Sequence, residues 1–123
     1  MTNDASQTVD ELSDEVYEAV RLIKDLTRGA RLPAPTVYSI LGDLQGAGRL
    51  LSVALTQLAT GLSRSLREFE VYESGGGEPS VSVAISRDHL AKASGLAAEL
   101  ADELEKAQSA ISHQRVRREY PRD

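Results

Sequence analysis

The chain has no cysteine and no tryptophan, a single phenylalanine and a single methionine. Without cysteine there is no disulfide framework and no thiolate nucleophile or metal ligand, a composition that fits a reducing compartment. Aromatic residues make up only 4% of the chain, so the core has to be aliphatic. Histidine is nearly as scarce: His89 and His113 stand 24 positions apart, in neither an H-x-x-x-H nor an H-E-x-x-H pattern. Zinc takes three or four ligands, so no metal and no cofactor is expected. There is no G-x-S-x-G elbow, and Gly75-Gly76-Gly77 lacks the lysine and the preceding strand of a phosphate-binding loop. The expectation is a protein without enzymatic activity.

Charge of one sign is missing in places. Residues 1–20 hold six acids and no base, and the segment from Arg115 to Arg122 holds four arginines and one acid. The net charge of -5 argues against bulk nucleic-acid binding. Met1 to Gln7 are polar and lack the basic and apolar regions of a signal peptide. No uninterrupted apolar stretch reaches the roughly 20 residues of a membrane span, because Gln45, Ser52, Thr56, Gln57 and Thr60 break the longest weakly charged stretch. A cytoplasmic protein that does not enter a membrane is expected.

What is present is helical periodicity. Val37, Leu41, Leu44, Gly48, Leu51, Leu55, Leu58, Leu62, Ser65, Phe69 and Tyr72 follow one another at steps of four and three. That 3.5-residue period is the seam of a helix packed lengthwise on another. Beside it Ile40, Ala47, Ala54 and Gly61 recur every seven residues, mostly small side chains that admit a neighbouring backbone. Gly46-Ala47-Gly48 is the weak point, since an interior glycine costs on the order of 1 kcal/mol against alanine. The register passes through Gly48 without slipping, so a continuous helix is expected.

The rest is organised around that stretch. Val9, Leu12, Val16, Ala19, Val20, Ile23 and Leu26 share a helical face after the capping residue Thr8, and Gly29 is placed to end the helix. Leu90, Ala93, Ala97, Leu100, Leu104, Ala107 and Ile111 form a third seam after Ser86. Val81, Val83 and Ile85 alternate with Ser82 and Ala84, which reads as extended chain. The expected architecture is all-α in one domain: a three-helix antiparallel bundle with one long central helix. Its parts are a disordered tail over 1–7, helices over about 9–28, 36–72 and 87–114, a linker over 73–86 and a basic tail over 115–123. Leu55, Leu58 and Leu100 are expected at the middle of the core.

Residues 36–50, Thr-Val-Tyr-Ser-Ile-Leu-Gly-Asp-Leu-Gln-Gly-Ala-Gly-Arg-Leu, resemble the recognition helix of winged-helix repressors, in which T-V-Y-x-x-L-x-x-L precedes a glycine and a wing. The resemblance implies DNA reading by this helix, but a strongly helical stretch, Leu51 to Leu66, stands where the wing belongs. Small secreted WXG proteins share the length and the helical hairpin, yet the chain lacks their Trp-x-Gly turn. The segment Leu32 to Leu66, with the Gly-rich turn and the Ala/Leu-rich helix that follow, is similar to small uncharacterised helical proteins of actinobacteria. That similarity implies a cytoplasmic accessory protein.

Helix 2 outreaches the other two, so an apolar strip is expected to remain for a partner. The expected function is a non-catalytic interaction or scaffold module that forms a homodimer along helix 2 or binds another helical protein. Its candidate interface is Ala47, Ala54, Gly61, Leu62, Leu66, Phe69 and Tyr72. The alternative is an accessory nucleic-acid binder using Arg115, Arg117, Arg118 and Arg122, or the segment 36–50.

Overall fold

Prolines and glycines set the boundaries of the elements. The computed structural model describes residues 4–122. Helix α1 spans Asp4–Leu26, α2 spans Ala34–Glu68 and α3 spans Pro79–Ala110. Among the described residues there is no strand, and the fold class is all-α. The chain divides into two compact units, residues 1–32 and 33–123.

In the first unit α1 starts earlier than the capping pattern at Thr8 indicates. Residues 5–7 are helical rather than disordered, while the first three residues of that expected tail lie outside the described residues. Ala5, Ser6 and Gln7 are uncharged and unbranched at Cβ, so they extend the helix without steric or electrostatic penalty. The helix gives way to a turn over 27–29, and Gly29 takes a φ of 67° there, a conformation in which a Cβ would be strained. Arg21 is clamped between Glu18 and Asp25 one turn to either side. The hydrogen bonds that Arg21 donates to the Glu18 carboxylate push the Arg21 pKa up. The apolar stripe of α1, from Val9 through Val16 to Leu26, is exposed.

The second unit is a helical hairpin. Pro33 caps α2 with extended backbone, and its carbonyl accepts from the amides of Thr36 and Val37. Thr36, where the helix was expected to start, lies inside it. The helix is continuous through Gly46 and Gly48. It stops at Glu68 instead of Tyr72, and Phe69 is already extended with φ -134° and ψ 155°. Glu68, Glu70 and Glu73 explain the early stop, since carboxylates oppose the negative end of the helix dipole. Gly76, at φ 87°, turns the connecting loop, and the Ser82 hydroxyl donates to Glu73 across it.

Helix α3 begins at Pro79, one to two turns before Ser86, and ends at Ala110 rather than Gln114. Val81, Val83 and Ile85 are therefore helical, not extended. An isolated extended segment would leave its backbone amides without a ladder, whereas proline at the first helical position lets the helix start upstream and pair them. Val83 then enters the same register as Leu90 and Ala97.

The pairing of α2 with α3 is antiparallel. A Cβ on Gly42 would meet Gln108, one on Gly48 would meet Ala101 and Ala97, and Ser52 bonds Ser94. One residue number rises as the other falls. The inner rows of α2 are Leu41, Gly48, Leu55 and Leu62 with Gln45, Ser52, Ala59 and Leu66, all buried or half-buried. The first row is the expected one. The second was expected one position earlier, at Leu44, Leu51, Leu58 and Ser65, yet Leu51 and Leu58 are exposed, Leu58 to 52%. On α3 the inner rows are Leu90, Ala97, Leu104 and Ile111 with Ser94, Ala101 and Gln108. Leu100, expected at the core, is 53% exposed and Ala107 is exposed too. Selection by size accounts for the difference. A seam of Gly48, Ser52, Ala97 and Ala101 lets the helices approach more closely than a seam of leucines does, and it pairs the two serines.

The glycines of α2 separate this packing from simple propensity. A Cβ on Gly46 would meet nothing, whereas one on Gly48 would sit 3.3 Å from the Cβ of Ala101. Gly46→Ala should therefore raise stability by about 0.5–1 kcal/mol. Gly48→Val should lower it by about 1–3 kcal/mol through overpacking. Urea unfolding at one fixed protein concentration checks both. Equal shifts for the two variants would mean that α3 does not approach α2 at Gly48.

Candidate interaction surface

The seam divides the hairpin into two unlike faces. Both helices are right-handed and run oppositely, so rows displaced in the same rotational sense from the shared seam emerge on the same side. On one side lie Leu44, Leu51 and Leu58 of α2 with Ala93, Leu100 and Leu96 of α3. Leu51, Leu58, Leu96 and Leu100 are 48–64% exposed. The other side is polar and ionic. There Arg49 reaches across from α2 and donates to Asp102 at 3.0 Å and to Glu105 at 2.9 Å. An open groove on that side is floored by Thr56, Ala59, Ala84 and Ala91 and edged by Arg87 and Asp88.

Polar pairs within the seam keep the helices in register. The Ser52 hydroxyl donates to the Ser94 carbonyl at 2.9 Å, and the Ser94 hydroxyl donates to the Ser52 carbonyl at 2.8 Å. Farther along, the Gln108 amide donates to the Tyr38 carbonyl at 3.0 Å. Gly42 makes room for that amide, since a Cβ there would lie 2.7 Å from its nitrogen. Among the described residues no buried side-chain polar atom lacks a partner.

The expected interface residues fall into three groups. Ala47 and Gly61 are exposed and Ala54 is half-buried, on the row next to Leu51 and Leu58. Leu62 and Leu66 are half-buried on the inner rows that meet α3. Phe69 and Tyr72 lie beyond the end of α2 and are exposed. Leu51, Leu58 and Leu100 belong to the expected seams and Leu96 to none, yet all four are exposed. The signal in the sequence was the presence on α2 of more apolar rows than one neighbouring helix covers.

The segment 36–50 is built unlike a recognition helix. It is the first half of α2, its Gly48 is buried against α3, and no wing follows. Its one base, Arg49, is committed to two carboxylates. The arginine-rich segment leaves the helix after Ala110. Arg115 donates to the carbonyls of Ser112 and Gln114, Arg118 stacks over the ring of Tyr120 at 5.4 Å, and Arg117 and Arg122 are exposed.

His89 and His113 are both exposed. Among the described residues no group of three or more His, Asp or Glu side chains is placed to hold a metal ion. No helix among them is long and apolar enough to cross a membrane. Comparison with family models, with curated proteins and with solved structures gives no match.

Arg49 and its two acids are each more than 40% exposed, so the cluster contributes little to stability despite its short distances. Arg49→Ala should cost no more than about 1 kcal/mol, and less as salt is added. A larger loss in thermal unfolding, unchanged by salt, would show that Arg49 supports the hairpin by packing instead.

Proposed function

We propose that this chain is a non-catalytic, cytoplasmic helical interaction module that self-associates as a homodimer along α2. One observation carries the reading. The hairpin spends its small side chains on its own seam and leaves Leu51, Leu58, Leu96 and Leu100 together on one outer face. Burial of a leucine side chain stabilises by about 1.5–3 kcal/mol, so a partner that covers this face gains a large driving force. Contiguous exposed apolar patches mark interaction sites, and two-fold homodimers are the commonest assembly. Light scattering at micromolar concentration should report about twice the chain mass of 13.3 kDa. Ala54→Arg, which sets a charge beside the leucines, should return the mass towards that of one chain. A single-chain mass for the unaltered protein across that range removes the reading.

A second reading is an accessory nucleic-acid binder, favoured by the exposure of Arg115, Arg117 and Arg118 off the end of α3. Arginine–phosphate contacts weaken steeply with salt. Deletion of residues 114–123 should then abolish duplex DNA binding at about 50 mM salt. Absence of binding by the intact chain under that condition eliminates this reading.

A further inference from the structure

The outer face of α2 carries a second seam whose pattern is complementary to itself. One row is large: Leu44, Leu51 and Leu58. The adjacent row is small: Ala47, Ala54 and Gly61. Leu51, Leu58, Ala47 and Gly61 are exposed, and a Cβ on Gly61 would meet nothing within 4 Å. We infer that a second copy of the chain packs its α2 antiparallel on this seam, so that Leu44, Leu51 and Leu58 of one copy lie over Gly61, Ala54 and Ala47 of the other. The inference rests on the self-association reading and specifies its geometry.

Three observations select this occupant and this direction. The first is spacing. The pairs Leu44 with Gly61, Leu51 with Ala54 and Leu58 with Ala47 are all centred on the same point of α2, between Ser52 and Val53. A single two-fold axis through that point therefore sets every leucine of the row over a small residue, the large-to-small interdigitation of a close-packed layer. A parallel copy sets leucine against leucine and small against small.

The second observation is charge. The next row outward holds Asp43 and Arg64. Both are exposed, and neither makes an ion pair or side-chain hydrogen bond among the described residues. The same axis brings Asp43 of each copy beside Arg64 of the other, two complementary pairs at the rim. A parallel copy brings like charge to like.

The third is agreement with α3. The Ser52–Ser94 bonds place the axis opposite Ser94 on that helix. Ala93 and Leu96 are centred at that same level on the same outer face, so Leu96 of one copy lies over Ala93 of the other. Two helices about 8–10 Å apart and about 45 Å long offer a footprint on the order of 900 Å². A stable dimer buries about 800 Å² per partner.

The absence of native cysteine makes the geometry directly measurable. Leu58→Cys and Ala47→Cys are prepared as separate full-length variants of distinguishable mass, each checked for unchanged helicity. Mixed and mildly oxidised, they should form a disulfide-linked heterodimer. Neither should cross-link alone, because either position lies about 16 Å along the axis from its own copy, beyond the roughly 7 Å Cα separation that a disulfide spans. In parallel, Asp43→Arg should weaken dimerisation roughly tenfold at low salt, and adding Arg64→Asp to it should restore affinity. Self-cross-linking of each variant alone overturns the antiparallel arrangement. So does a sample that light scattering shows to be dimeric yet yields no mixed disulfide, an outcome that leaves self-association standing. A monomer by light scattering removes both readings.

Discussion

The close approach of α2 to α3 at Gly48 is the constraint on which the hairpin depends. With no side chain on Gly48, the Cβ of Ala101 fits against the α2 backbone, and Ala101 is fully buried. One turn away that proximity lets two serine hydroxyls each reach the carbonyl of the opposite helix. The serines add direction to a contact that dispersion alone leaves free to slide. At the far end, Gly42 admits the Gln108 amide in the same manner. Small residues at the contact and hydrogen bonds within it fix which residues of α3 lie opposite which residues of α2.

Large side chains are displaced outward as a consequence. Around Gly48 and Ser52 the helices have no room for leucine on both inner rows, and the described residues include no large side chain that is fully buried. The leucines that a wider seam would have enclosed line one outer face instead. Gly61, on the row next to them, makes no contact that a Cβ would disturb. Its cost in helix propensity is therefore not explained by the packing of the hairpin. Nothing in the structure explains Gly46.

The polar face shows how little a local motif determines. Residues 36–50 resemble a recognition helix in pattern, but Arg49 lies among carboxylates of α3 and the buried side of the segment is occupied by that helix. A motif acquires its chemistry from the elements around it. Here those elements are a helix in place of a wing and two acids in place of phosphates.

Much of the fold is determined by the sequence itself. The all-α class, the three helices, the turn at Gly75 to Gly77, the stop at Gly29 and the passage of α2 through Gly48 all follow from local rules: a 3.5-residue period, helix-compatible residues, and glycine where φ turns positive. The row Leu41, Gly48, Leu55 and Leu62 was legible for the same reason. Local rules did not decide which neighbouring row completes the seam. Leu44, Leu51 and Leu58 have the greater hydrophobicity, while Gln45, Ser52 and Ala59 have the smaller volume, and a count of apolar residues favours the leucines. The tertiary structure decided for the smaller row, because Ala97, Ala101 and Ser94 across the contact reward closeness and a matching hydrogen bond more than bulk. The start of α3 was decided the same way: Val83 gains burial only once α2 is there to cover it, and no periodicity within five residues records a neighbour that distant in the chain.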